Sequence, residues 1–113
     1  MHVILWEFEP RAGKEGEFER AYGANGGWAR LFTKSADYRG SDLLKSTTNR
    51  TYITIDRWTS AAAFAAFKRE RLAEYQALDQ QMESLTSSEM PLGQFDLIEP
   101  LPSLTVSSQG HSL

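Results

Sequence analysis

RTYITIDRWTSAAAFAAF, residues 50–67, decides the fold: an alternating run of strand formers ends at Trp58 and passes through Thr59-Ser60 straight into a helix. Side chains alternate along a strand with a period of two, so Tyr52, Thr54, Asp56 and Trp58 share one face while Ile53, Ile55 and Arg57 share the other. One face is polar and aromatic, the other mostly aliphatic. A strand of that kind beside a helix predicts a lined cavity on the polar-aromatic face. Which face meets the helices is inferred, and a swap would exchange the pocket with the opposite surface.

Upstream, MHVILWEF predicts a first strand over residues 2–8, with His2, Ile4, Trp6 and Phe8 on one face and Val3, Leu5 and Glu7 on the other. Pro10 to Gly13 is a turn, and Phe18 and Tyr22 at i and i+4 mark a first helix. Three glycines within positions 23–27 would each cost about 1 kcal/mol inside a helix, so a linker or a hinge interrupts it before Trp28, Leu31 and Phe32 resume the helical spacing. The hinge reading would make Trp28 part of a lid.

Residues 38–47 predict a second strand, joined to the third by a short turn at Thr48-Asn49. Downstream, Ser60 or Thr59 caps a long second helix whose inner face carries Phe64, Phe67, Leu72, Tyr75, Leu78, Met82 and Leu85. Met90-Pro91 ends the connection, and residues 92–99 form a fourth strand. The expected domain spans residues 1–99, followed by a serine-rich tail over 100–113.

Strand, helix, strand, strand, helix, strand is the split βαβ order of an α+β, ferredoxin-like βαββαβ sandwich with a four-stranded antiparallel sheet. Two helices cover one face of such a sheet, yet the first and third strands carry apolar residues on both faces. A second copy related by a two-fold axis would cover the free face through Val3, Leu5, Ile53 and Ile55, so a homodimer is expected.

At 113 residues the chain is one domain. Twelve Lys and Arg against 15 Asp and Glu leave a net charge of −3, with no basic run to grip phosphates, so nucleic acid is not an expected partner. The chain has no cysteine, which removes thiolate catalysis and cysteine-held metals. No leader pattern and no stretch of about 20 apolar residues is present, so no membrane partner and a cytoplasmic location are expected.

The element order, the length, the Arg57-Trp58-Thr59-Ser60 junction and the aromatic second helix resemble the antibiotic biosynthesis monooxygenase domain family, of the dimeric α/β barrel type. The resemblance covers about residues 2–99. Within it, EGEFERAYGANGGWARLF (15–32), YRGSDLL (38–44) and YITIDRW (52–58) are similar to a bacterial branch of that family. It implies a sheet-to-sheet dimer, with a site between the sheet and helices of each subunit. It also implies cofactor-free oxygenation of aromatic polyketides or, in other members, haem degradation. Trp58 matches the tryptophan that lines the pocket of the polyketide oxygenases, but Thr54 stands where they carry asparagine and Phe64 where they carry tyrosine. Trp6 stands where the haem-degrading members carry asparagine, and the second helix has no histidine for haem, His2 and His111 being near the chain ends.

The expected function is therefore a cofactor-independent monooxygenase, with no metal, acting on a small aromatic molecule of polyketide or quinol type. Oxygenation without metal or flavin requires a base that deprotonates a phenol in a dry site. Asp56 is the candidate base, with Trp58 and Tyr75 as the other catalytic candidates. Trp6, Trp28, Phe32, Tyr38, Tyr52, Thr54 and Phe64 are the expected substrate-binding residues, the rings stacking on a flat ligand. Two alternatives share the pocket: a binding or stress-response dimer without the chemistry, and an isomerase or cyclase with Asp56 as base and a tyrosine as acid.

Overall fold

The computed structural model describes residues 1–98, so Glu99 and the expected tail over 100–113 lie outside the described residues. The elements are β1 (His2–Pro10), α1 (Glu15–Tyr22), α2 (Gly27–Phe32), β2 (Tyr38–Lys45), β3 (Tyr52–Trp58), α3 (Ala61–Glu70), α4 (Leu72–Met82), a 3-10 turn (Glu83–Leu85) and β4 (Thr86–Asp96). The sheet order is β2-β3-β1-β4 and every pairing is antiparallel, the α+β ferredoxin-like arrangement expected.

Both expected helices are split in two. Between α1 and α2 the glycine-rich segment is a linker between short helices. Gly26 is needed there for close approach: its backbone passes so near the end of α1 that a Cβ would meet the Ala21 carbonyl oxygen at 2.2 Å. The second break, at Arg71 (φ −120°, ψ 34°), carries neither Gly nor Pro, which is why the sequence reads as one helix. The change of direction leaves Leu72, expected inside, 45% exposed. Ser60 is the N-cap of α3, its hydroxyl accepting from the Ala63 N–H at 3.0 Å.

The fourth strand starts at Thr86, six residues earlier than expected, and Met90-Pro91 lies within it. Proline removes a ladder donor, but β4 is an edge strand and Pro91 sits beside a register shift opposite Trp6, where that loss is tolerated. A second bulge matters more for the site. Between Tyr38↔Trp58 and Ser41↔Asp56, β2 carries one residue more than β3, and Gly40 takes φ +101° to allow it. Tyr38 and Ser41, three apart, thereby come to the same face of the sheet.

The polar-aromatic face of β3 meets the helices. Two buried clusters stand on that face. One gathers Phe8, Phe18, Tyr22, Tyr52, Met82 and Leu85; the other gathers Ile4, Leu31, Phe32, Trp58 and Phe67. Tyr52 and Trp58 anchor opposite ends of β3, and the smaller Thr54 and Asp56 lie between them. Trp6, Trp28 and Leu78 flank both clusters. The seam is left incompletely filled because neither Thr54 nor Asp56 has the volume of the rings on either side.

Candidate functional site

A cavity of about 210 Å³ occupies that seam. Its floor is the sheet: Trp6 and Phe8 from β1, Ser41 from β2, Thr54 and Asp56 from β3, and Glu89 from β4. Its roof is helical: Tyr22 from α1, Trp28, Ala29 and Phe32 from α2, Lys68 from α3, and Tyr75 and Asp79 from α4. The rings make a continuous wall, Trp28 lying edge-on to Tyr75 with centroids 5.0 Å apart and 5.8 Å from Phe32. The Trp28 Nε1 is buried near the Tyr22 hydroxyl, whose pKa it pulls down, but it makes no well-aligned hydrogen bond among the described residues.

Asp56 is the acidic group of the floor. Ser41 Oγ donates to its Oδ1 at 2.6 Å. A serine hydroxyl has one proton, so the hydrogen bond between Tyr38 and Ser41 runs with Tyr38 as donor, giving a chain from Tyr38 through Ser41 to Asp56. Burial raises the Asp56 carboxyl to about 6, against smaller downward pulls from the Ser41 hydrogen bond and from Arg57. Burial likewise pushes the Tyr75 hydroxyl up to about 12, with Asp79, Asp56 and Glu89 adding to the rise. Near neutrality Asp56 is therefore an ionised acceptor held close to its own pKa, and Tyr75 is a neutral donor.

Of the residues expected at the site, Asp56, Tyr75, Trp6, Trp28, Phe32 and Thr54 line this cavity; Trp58, Tyr38, Tyr52 and Phe64 do not. Trp58 is 0% exposed and packed by Phe32, Tyr38, Phe64 and Phe67. Its Nε1 also has no partner among the described residues. Phe64 touches Trp58 from outside. Tyr52 sits in the other cluster, its hydroxyl donating to Glu19. Tyr38 stands behind the wall, its hydroxyl bonded to Ser41 and its ring packed on Phe32 with centroids 5.4 Å apart.

Phe8, Tyr22, Ala29, Ser41, Lys68, Asp79 and Glu89 line the cavity without having been expected there. Phe8 shares the parity of Trp6, and Asp79 follows Tyr75 by one helical turn, so both carried a readable signal. Ser41 carried none, because the Gly40 bulge reverses its face, and Glu89 was hidden by reading Met90-Pro91 as a connection. Arg57 pairs with Asp42 on the opposite face of the sheet, and Arg39 donates to the Ala36 carbonyl.

With a single sheet, two pairs of helices and a cavity between the layers, the fold is that of the antibiotic biosynthesis monooxygenases. Comparison with protein-family models and with curated proteins gives no match. Among solved structures, the chain is similar to MhuD, a haem-degrader from Mycobacterium tuberculosis solved with two haems in its active site (TM-score 0.63, 19% identity, 89% of this chain and 99% of that one). It is also similar to SnoaB, a cofactor-independent oxygenase from Streptomyces nogalater (TM-score 0.60, 21% identity, 89% and 96%). A Bordetella bronchiseptica protein named for the antibiotic biosynthesis monooxygenases matches at TM-score 0.65 with 14% identity, over 87% and 97% of the two chains.

The residues here do not fit haem. Neither α3 nor α4 contains a histidine to ligate iron, and the wall presents three carboxylates to the two that haem itself carries. Among the described residues no three His, Asp or Glu side chains converge to hold a metal ion, and no helix is long and apolar enough to cross a membrane.

Proposed function

We propose that this chain is a homodimeric, cofactor-independent monooxygenase that binds a small aromatic phenol or quinol between its sheet and helices. The observation that carries the reading is the Asp56 carboxylate, raised to about 6, on the floor of an aromatic-walled cavity. Asp56 takes the phenol proton, and the rings of Trp6, Trp28 and Phe32 hold the ligand plane. Tyr75 and the Trp28 N–H donate to its oxygens. The electron-rich anion reduces dioxygen by one electron, and the radical pair combines at carbon to a peroxide. Loss of water then leaves one oxygen atom in the product as a carbonyl, the other leaving with two substrate hydrogens. Oxygen uptake with quinols and anthrones, measured beside tryptophan quenching, tests this. Saturable binding without oxygen uptake would leave the binding-module reading, which Thr54 and Phe64 favour by their departure from the oxygenase pattern. A rearranged ligand without oxygen uptake would favour the isomerase, for which Tyr75 is the acid.

Ser41 is placed to tune the base. Its hydrogen bond favours the ionised carboxylate, so Ser41→Ala is expected to raise the Asp56 pKa further. A hydrogen bond to a charged group contributes about 1.5–3 kcal/mol, so the acid limb of the kcat/KM profile should move up by roughly one to two pH units. An unmoved limb would show that another group controls it.

The face of the sheet away from the helices supports the homodimer. Leu44 and Phe95 are each about half exposed there, beside Leu5, Ile53 and Ile55. Ile55→Lys is expected to shift the protein from dimer to monomer in sedimentation velocity at micromolar concentration. A monomeric wild type under those conditions would remove the dimer from this account.

A further inference from the structure

We propose that the cavity selects aromatic ligands that carry a positive charge, an amine-bearing ring system being the class, and disfavours aromatic carboxylates. This rests on the reading of the cavity as an aromatic-binding site and names the charge of what enters it. Three carboxylates, Asp56, Asp79 and Glu89, face the cavity, against one ammonium, Lys68. None of the three has a cationic partner within ion-pair distance among the described residues. Asp56 accepts from Ser41 and Glu89 from Thr86 Oγ1, both neutral hydroxyls.

Elsewhere among the described residues some carboxylates, Glu7, Asp37, Glu70 and Glu83, are also without an ion pair, but others are paired, and what marks the cavity is that all three of its carboxylates lack one around a single aromatic space. Glu9 and Glu15 meet Arg50, Asp42 meets Arg57, and Glu74 meets both Lys34 and Arg71. Lys68 does not redress the balance at the cavity: its Nζ lies 4.7 Å from the centroid of the Tyr75 ring, against an aromatic face and not a carboxylate. The carboxylates are felt inside the cavity, since Asp79 and Glu89 both add to the upward push that burial gives the Tyr22 and Tyr75 hydroxyls.

Depth separates the two parts of the ligand. Phe8, Phe32 and Thr54 are buried, whereas Asp79, Glu89 and Lys68 are exposed and so mark the mouth. The ring therefore goes inward against Trp6 and Trp28, and the cationic substituent stays at the mouth beside Asp79 and Glu89. A cation there also gains from the faces of the aromatic wall. Partly exposed charge pairs are individually weak, so the preference comes from their number.

Three probes with one ring system test this by calorimetry on the full chain: 1-naphthylmethylamine, 1-naphthalenemethanol and 1-naphthoate. The amine is expected to bind roughly tenfold more tightly than the carboxylate, with the alcohol between, and the spread should narrow at high salt. It should also narrow in an Asp79→Asn/Glu89→Gln variant. A Glu17→Gln/Glu83→Gln control, with the same change in net charge away from the cavity, should leave the order intact. Equal binding of the three, tighter binding of 1-naphthoate, or an order unchanged in the Asp79/Glu89 variant would overturn the charge selection while leaving the aromatic cavity standing. Binding of none would overturn both.

Discussion

Asp56→Asn is expected to reduce turnover by 10²–10⁴-fold, the usual range for loss of a positioned general base, while making the protein more stable above neutral pH. The two effects have one cause. Burial raises the Asp56 carboxyl from 3.8 to about 6, so the folded state holds that proton more tightly than the unfolded chain does. The stability this contributes is complete below about pH 4 and is lost as pH rises through about 6. Above that, the wild type carries the full cost of an ionised carboxylate in a poorly solvated site. A shift of about two pH units corresponds to roughly 3 kcal/mol as an upper bound. Asparagine keeps the acceptor for Ser41 and carries no charge. The variant should therefore gain about 1–3 kcal/mol at pH 8 and little at pH 4, and thermal melts at the two pH values read the difference. A stabilised but inactive variant would show a group retained for chemistry at the expense of folding, as functional sites often are. Full activity would remove Asp56 as the base. Lower stability at pH 8 would mean that its role is structural.

Trp58→Ala is expected to have the largest effect on folding, about 3–5 kcal/mol, because it empties the centre of the second cluster beneath Phe32, Phe64 and Phe67. Against a total of about 5–15 kcal/mol for an ordinary domain, much of the stability would go. Trp58→Phe separates shape from the indole N–H. It loses part of the packing volume, but it also removes a buried donor that has no acceptor among the described residues, whose burial costs about 1–3 kcal/mol. The expected net cost is below about 1.5 kcal/mol by urea denaturation. Since Trp58 does not line the cavity, aromatic affinity in Trp58→Phe should stay within about twofold, whereas Trp28→Phe, on the wall, should weaken it several-fold. A large loss of affinity in Trp58→Phe would place the indole in the binding step after all, as the family pattern implies.

How far the site was legible follows from how each residue reached it. Strand alternation put Thr54 and Asp56 on the face of Tyr52 and Trp58, and that face does meet the helices. The gap between two rings, and hence a cavity over two small polar residues, was readable from YITIDRW. The place of Trp58 was not. Parity assigns a side chain to a face, but it does not say whether that position along the strand is open or filled from above, and Phe64 and Phe67 fill it. The helix break at Arg71 went unread because no residue type marks it, and with it the exposure of Leu72.

The sequence by itself determined the order of elements, the antiparallel sheet, which side chains of β3 share a face, and the lack of cysteine and of a helix-borne histidine over residues 61–82. These depend on local periodicity and composition, which act within a few residues of one another. Only the tertiary structure decided which side of β3 meets the helices, that Ser41 meets Asp56 across a bulge made possible by Gly40, that Trp58 packs beside the cavity without lining it, and that Asp79 and Glu89 face the cavity from α4 and β4 with no counter-ion among the described residues. Each of those depends on the register between segments distant in the chain, where one inserted residue reverses a side chain's face.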